Sequence, residues 1–146
     1  MIILDTNIIS VLAAARCHPA NAIVDQWFAS CDAHSIRTTA ITRAEAKAGV
    51  ESMPDGARKD DLRCSVNIFF ATMAEATLPF TARAADQYGL IVATRQRSGH
   101  PISVLDAQIA AIALTAGATL ATRNVKDFAD LGLSLVDPYD RATWGR

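Results

Sequence analysis

Met1-Ile-Ile-Leu4 is a fully apolar run that stops at Asp5. A strand that is apolar in every position has both faces covered, which is the habit of parallel sheets flanked by helices. A carboxylate directly at its end is costly to bury without a partner. The fold must therefore give Asp5 a helix N-terminus or a cation. A buried strand with a charge at its carboxyl end leaves few architectures open.

The rest of the chain supplies the covering layers. Ile8 to Ala15 reads as a helix broken near Cys17-His18-Pro19, and Ile23, Val24, Trp27 and Phe28 recur at helical spacing over Ala22 to Cys31. His34 to Thr39 is the second expected strand. Thr42 to Met53 is a helix ended by Pro54-Asp55-Gly56. Ala57 to Ala76 reads as one long helix. Leu78-Pro79-Phe80 is a third strand, placed at an edge by Pro79. Thr81 to Ser98 is a helix closed by Gly99, and Pro101-Ile-Ser103 leads into another that Gly117 stops after Ala116. Ala118 to Thr122 and Leu133 to Val136 are strands around a short helix from Val125 to Asp130. This alternation predicts a single α/β domain over residues 1–146, with a central, mainly parallel sheet of about five strands.

Composition narrows the function classes. Apolar residues at 51% and charged residues at 20% exclude intrinsic disorder. The 14 basic and 15 acidic residues nearly cancel, which argues against coating nucleic acid by bulk charge. That balance hides two unlike populations: 12 of the acids are Asp and 11 of the bases are Arg. Asp favours caps, turns and metal sites, and Arg reads phosphate well. Cys17, Cys31 and Cys64 are odd in number and lack C-x-x-C spacing, which fits neither a disulfide scaffold nor a zinc site. The most apolar segment, Ala107 to Ala121, is interrupted by Gln108, Thr115, Gly117 and Thr119 and is too short to cross a bilayer. A cytoplasmic protein without a membrane partner is expected.

In open parallel sheets, ligands bind beyond the carboxyl ends of the strands. Asp5-Thr6-Asn7 follows the first strand, and Thr42-Arg-Ala-Glu45 and Ser103-Val-Leu-Asp106 each open a helix. Thr122-Arg123-Asn124 follows the fourth strand, with Asp127 three residues on. Thr42 with Glu45, Ser103 with Asp106 and Asn124 with Asp127 all have capping-box spacing, so each acid taken alone has a structural use. Taken together, carboxylates converging on one edge repel one another and raise one another's pKa values. A hard divalent cation removes that penalty. All-oxygen donors without His or Cys at matching spacing point to Mg²⁺ or Mn²⁺.

The motifs resemble those of the PIN-domain ribonucleases, specifically the VapC- and FitB-like toxins of bacterial toxin–antitoxin pairs. Ile3-Leu-Asp-Thr-Asn-Ile-Ile9 is similar to their first motif, and Ile41-Thr-Arg-Ala-Glu45 with Gly49-Val50 to their second. Leu78-Pro-Phe80 with Pro101 to Ala113 resembles the third. Leu120-Ala-Thr-Arg-Asn-Val-Lys-Asp-Phe128 with Gly132 resembles the fourth. The resemblance implies a PIN-like α/β/α sandwich, metal-dependent endoribonuclease activity, an RNA substrate, a homodimer and a cognate antitoxin. It assigns Asp5, Glu45 and Asp106 to the acidic triad. Where family members often carry a fourth Asp this chain has Asn124, so Asn124 through its carbonyl or Asp127 one turn on completes the set. Thr6, Asn7, Thr122 and Arg123 are the candidate substrate contacts, and Arg123 is equally compatible with an exposed surface role. Pro138-Tyr139 replaces the family's Pro-Trp, a change expected to alter packing rather than chemistry.

Two other functions remain open. A phosphohydrolase with Asp5 as nucleophile usually carries a second Asp where this chain has Asn7. A catalytically silent PIN-like module would only dock a partner. The remaining polar residues carry less. His18, His34 and His100 lack partners at ligand spacing, and Arg83, Arg95, Arg97 and His100 form either an RNA-groove rim or a solvated helix face.

Overall fold

Side chains alternate across a strand, so β1 (Ile2–Leu4) sends Ile3 to one face of its sheet and Leu4 to the other. Both are fully buried, because helices cover both faces. The computed structural model describes residues 1–14 and 21–144. Four further strands join β1: β2 (Ile36–Thr39), β3 (Thr77–Leu78), β4 (Thr119–Ala121) and β5 (Ser134–Val136). Their order is β3-β2-β1-β4-β5, and every neighbouring pair is parallel. The sheet is therefore wholly rather than mainly parallel. The helices are α1 (Thr6–Ala14), α2 (Ala22–Ser30), α3 (Ala40–Glu51), α4 (Ala57–Thr72), α5 (Ala82–Arg97), α6 (Val104–Ala116) and α7 (Val125–Phe128).

Two apolar cores result, one on each side of the sheet. Ile3 and Leu120 pack with Ala84 and Ile91 of α5, Ile109 to Ala113 of α6, and Phe128. Leu4, Ile36, Ala121 and Val136 pack with Ile8, Trp27, Val50, Val66 and Phe70 from α1 to α4. Trp27 and Phe70 are thus core residues, with Phe69 set edge-on to Phe70. Among the described residues, no helix is long and apolar enough to cross a membrane.

Several element boundaries move, each for a local reason. α1 starts at Thr6 rather than Ile8, because the Asp5 carbonyl accepts from the N–H groups of Ile8 and Ile9. The expected break at Cys17-His18-Pro19 lies outside the described residues. β2 starts at Ile36 rather than His34, since Ala33–Ser35 forms a 3-10 turn capped by Asp32. α3 starts two residues early because Thr39, not Thr42, is its cap. α4 ends at Thr72, and Ala74–Ala76 forms a separate 3-10 turn. β3 is an edge strand, but Pro79 follows it and takes no place in the ladder. Gly117 ends α6 at φ 60, ψ 35, the left-handed conformation that favours glycine.

Thr38 lies on the same face of β2 as Ile36 and is fully buried, and its hydroxyl finds no partner among the described residues. A buried polar group without a hydrogen bond costs stability, and an apolar isostere removes that cost. Thr38→Val is expected to raise the unfolding free energy by about 1 kcal/mol in urea titration. A loss of similar size would mean that the hydroxyl is satisfied in solution.

Candidate active site

Asp5 is 3% exposed and stands where β1 becomes α1. Its N–H continues the ladder by donating to the Ala121 carbonyl at 3.0 Å, which ties it to the end of β4. The Thr6 N–H donates to Asp5 Oδ1 at 2.7 Å. The Asn7 side-chain amide and the Thr122 hydroxyl both donate to Oδ2 at 2.7 Å. Asn7 also donates to Thr122 Oγ1 at 3.2 Å, and its Oδ1 accepts from the Arg123 N–H at 3.3 Å. Thr122 Oγ1 accepts from the Asn124 N–H at 3.0 Å. Asn7 is therefore a strap between the turns that follow β1 and β4. Sequence reasoning offered it as a substrate contact, yet both ends of its side chain are already engaged.

Glu45 lies in the second turn of α3 and is half-buried. The Thr6 hydroxyl donates to its Oε2 at 2.5 Å. The expected capping box of Thr42 and Glu45 is absent: Thr42 is buried inside the helix, its N–H donates to Thr39 Oγ1, and the two hydroxyls share a 2.8 Å bond. That frees the Glu45 carboxylate for other work. Asp106 does keep its capping role. Ser103 Oγ accepts from the Asp106 N–H at 3.1 Å and donates to Oδ2 at 2.7 Å.

The fourth position divides. Asn124 is exposed, precedes α7 and makes no side-chain cap bond. The expected cap by Asn124 is thus missing, although its carbonyl accepts from the Asp127 N–H at 2.9 Å. Asp127 is exposed and lines a depression with Arg123, Lys126 and Asp137. The Arg123 guanidinium lies over the Tyr139 ring, 4.8 Å from its centroid. Of the basic residues on α5 and the turn after it, Arg95 reaches across to the Ala129 carbonyl, while Arg83, Arg97 and His100 stay exposed.

Electrostatics separate Asp5 from an ordinary cap. Burial pushes its carboxyl up from 3.8 to about 6. The hydrogen bonds from Thr122 and Thr6 oppose that rise, and the nearby charges of Asp106 and Glu45 add to it. The ion pairs among the described residues are Lys59–Asp55, Arg63–Glu51 and Arg63–Asp60, so no cation among them answers this trio. A buried, uncompensated carboxylate with two others beside it, all oxygen donors, is chemistry that fits a hard divalent cation. No three acidic, His or Cys side chains among the described residues are gathered as a ready-made cage. Thr6 and Ser103 hold Glu45 and Asp106 in separate hydrogen bonds, each through one carboxylate oxygen, Oε2 and Oδ2.

Five parallel strands, helices on both faces and acids at the carboxyl edge define a PIN-like α/β/α protein. The PIN domain family model matches residues 2–132, and the chain belongs to that family. A plasmid stability protein StbB from Pseudomonas syringae pv. tomato is 36% identical over 96% of this chain and 99% of its own. The VapC ribonuclease Y4jK from Sinorhizobium fredii is 33% identical over 97% and 100%. Toxin FitB from Neisseria gonorrhoeae is 32% identical over 95% and 99%. The crystal structure of FitAcB from that organism superposes with a TM-score of 0.84 at 31% identity, covering 95% of this chain and 99% of the other.

The raised Asp5 pKa has a signed consequence for stability. The folded chain binds this proton more tightly than the unfolded chain, so stability falls as pH rises from about 4 through about 6. Above that window the metal-free protein carries a penalty of about 2–3 kcal/mol. In urea unfolding with chelator, wild type should lose this amount relative to Asp5→Asn between pH 4 and pH 7. An unchanged difference between the two proteins would contradict the assignment.

Proposed function

We propose that this chain is a metal-dependent endoribonuclease that hydrolyses RNA phosphodiester bonds and acts as the toxin of a toxin–antitoxin pair. The observation that carries the proposal is Asp5, a buried carboxylate at the carboxyl edge of a parallel sheet, with Glu45 and Asp106 beside it and no paired cation among the described residues. The kinship with proteins named VapC ribonuclease and toxin FitB supports the substrate and the biological setting.

Asp5, Asp106 and Glu45 would hold Mg²⁺ or Mn²⁺, with the Asn124 carbonyl as a neutral fourth donor. Asp127, exposed within α7, is the lesser candidate. A bound divalent cation lowers the pKa of its water and offsets charge on the phosphate. Thr6 steadies Glu45, which orients the attacking water. Thr122 and Asn7 fix Asp5, so their effect on RNA runs through the carboxylate. Water adds to phosphorus, the bond to the 3′ oxygen breaks, and the products carry a 5′-phosphate and a 3′-hydroxyl. Single-stranded RNA is the favoured target, because an A-form duplex hides its base edges. The assignment includes a cytoplasmic homodimer inhibited by a cognate antitoxin.

Asp5 as a covalent nucleophile is disfavoured, since the position two residues on, where such enzymes carry a second Asp, is Asn7, whose amide is tied to Asp5 and Thr122. The docking-module reading rests on Asn124, which removes one charge from the set. Incubation with total RNA separates the two. The nuclease reading expects cleavage in Mg²⁺, none in chelator, and at least ~100-fold slower cleavage by Asp106→Asn or Glu45→Gln, the scale of a lost electrostatic catalytic group. Undiminished cleavage by Asp106→Asn would overturn it.

A further inference from the structure

We infer that the Arg123–Tyr139 stack and Lys126 form a binding subsite for one nucleotide of the RNA, beside the scissile position on the β4–β5 side of the acids. The inference rests on the ribonuclease reading and adds where, and by what chemistry, the strand is held.

The placement follows from the strand order. β4 lies next to β1 and β5 lies beyond it, so the turns after β4 and β5 border the Asp5 edge on one side. Asn7 pins the backbone of Arg123 to the acid site through the Arg123 N–H. The Arg123 side chain lies over Tyr139 on the loop after β5. Arg123 is exposed while Tyr139 is half-buried, so the ring backs the guanidinium and the opposite side faces solvent. A guanidinium held on an aromatic ring is pre-ordered, and unstacked RNA bases pack on Arg planes and aromatic rings.

Beside the stack is a depression of about 390 Å³ lined by Arg123, Asn124, Val125, Lys126, Asp127 and Asp137. This lies within the ~300–1,000 Å³ of small-ligand sites. Neither Arg123 nor Lys126 joins an ion pair among the described residues, although two aspartates share the depression. Asp137 is partly occupied, since its Oδ1 accepts from the Tyr139 N–H at 2.9 Å. The two unpaired cations therefore remain available: Arg123 for a base, and Lys126 as a point charge for a phosphate.

The test uses Asp106→Asn as the background, so that a short single-stranded RNA binds without being cut, and reads affinity by fluorescence anisotropy. Adding Arg123→Ala should weaken binding by ~10-fold, in the range of one lost stacking contact. Arg123→Lys, which keeps the charge and loses the plane, should recover little of that loss. Lys126→Ala should weaken binding less and reduce the dependence on salt by about one phosphate contact. Tyr139→Phe keeps the ring and should bind as the parent. RNAs with a single abasic residue, stepped along the strand, should reveal one position at which Arg123→Ala costs nothing further. Parent-like binding by Arg123→Lys, or the absence of such a position, would overturn the subsite and leave the nuclease reading intact. Failure of the parent to bind RNA at all would remove both.

Discussion

The constraint on which the rest of the structure depends is the charge of Asp5 at the end of the central strand. β1 is the middle strand of five and apolar on both faces, so its carboxyl end emerges where two cores meet. A carboxylate there resists ionisation, and no Lys or Arg among the described residues pairs with it. Relief comes from donors that carry no full charge: the Thr6 N–H at the start of α1, the Asn7 amide and the Thr122 hydroxyl. Neutral donors orient the carboxylate and leave its charge available. A Lys in the same place would stabilise the metal-free chain and compete with any cation for the same oxygens.

This choice also explains why the edge is braced from within. Asn7 and Thr122 are 115 residues apart in sequence but meet because β1 and β4 are adjacent and in register from Ile2 with Thr119 to Leu4 with Ala121. One side-chain amide thereby links the carboxylate, the hydroxyl that supports it and the N–H of Arg123. A strained or empty edge would let like charges push the turns apart. Hydrogen bonds across the edge fix the loops while the repulsion among Asp5, Glu45 and Asp106 persists. Second contacts of this kind commonly set how well ligating carboxylates are aimed.

The fold was legible from short-range patterns, and the site only in part. Met1 to Leu4 announced a doubly covered strand, and Ser103 with Asp106 announced a cap, because both signals lie within a few residues of one another. Thr42 with Glu45 carried the same spacing and misled, since Thr39 also had a hydroxyl and took the cap at the end of β2. Spacing alone cannot decide between two adequate caps. Asn7 was found as a candidate, but its bracing work depends on the register between β1 and β4, which is a long-range fact. The Arg123–Tyr139 stack was out of reach for the same reason: nothing near Arg123 in sequence says that the loop after β5 passes beneath it.

The near-zero net charge takes on a different meaning when mapped onto this structure. Asp55, Glu51 and Asp60 pair with Lys59 and Arg63 around α3 and α4, so most of that charge is offset locally. Among the described residues Asp5, Glu45 and Asp106 have no such partners, and neither do Arg123 and Lys126 just after β4. Charges left unpaired add little to a chain that only has to fold. They become useful when a third body carries both signs of demand. A phosphodiester with its divalent cation is such a body: its metal seeks the carboxylates and its flanking phosphates seek the bases. Excluding the four candidate ligands Asp5, Glu45, Asp106 and Asp127 leaves 11 acids against 14 bases. On the proposed ribonuclease reading, that modest positive remainder fits a strand held by local placement rather than by bulk charge, with a hold that weakens in salt.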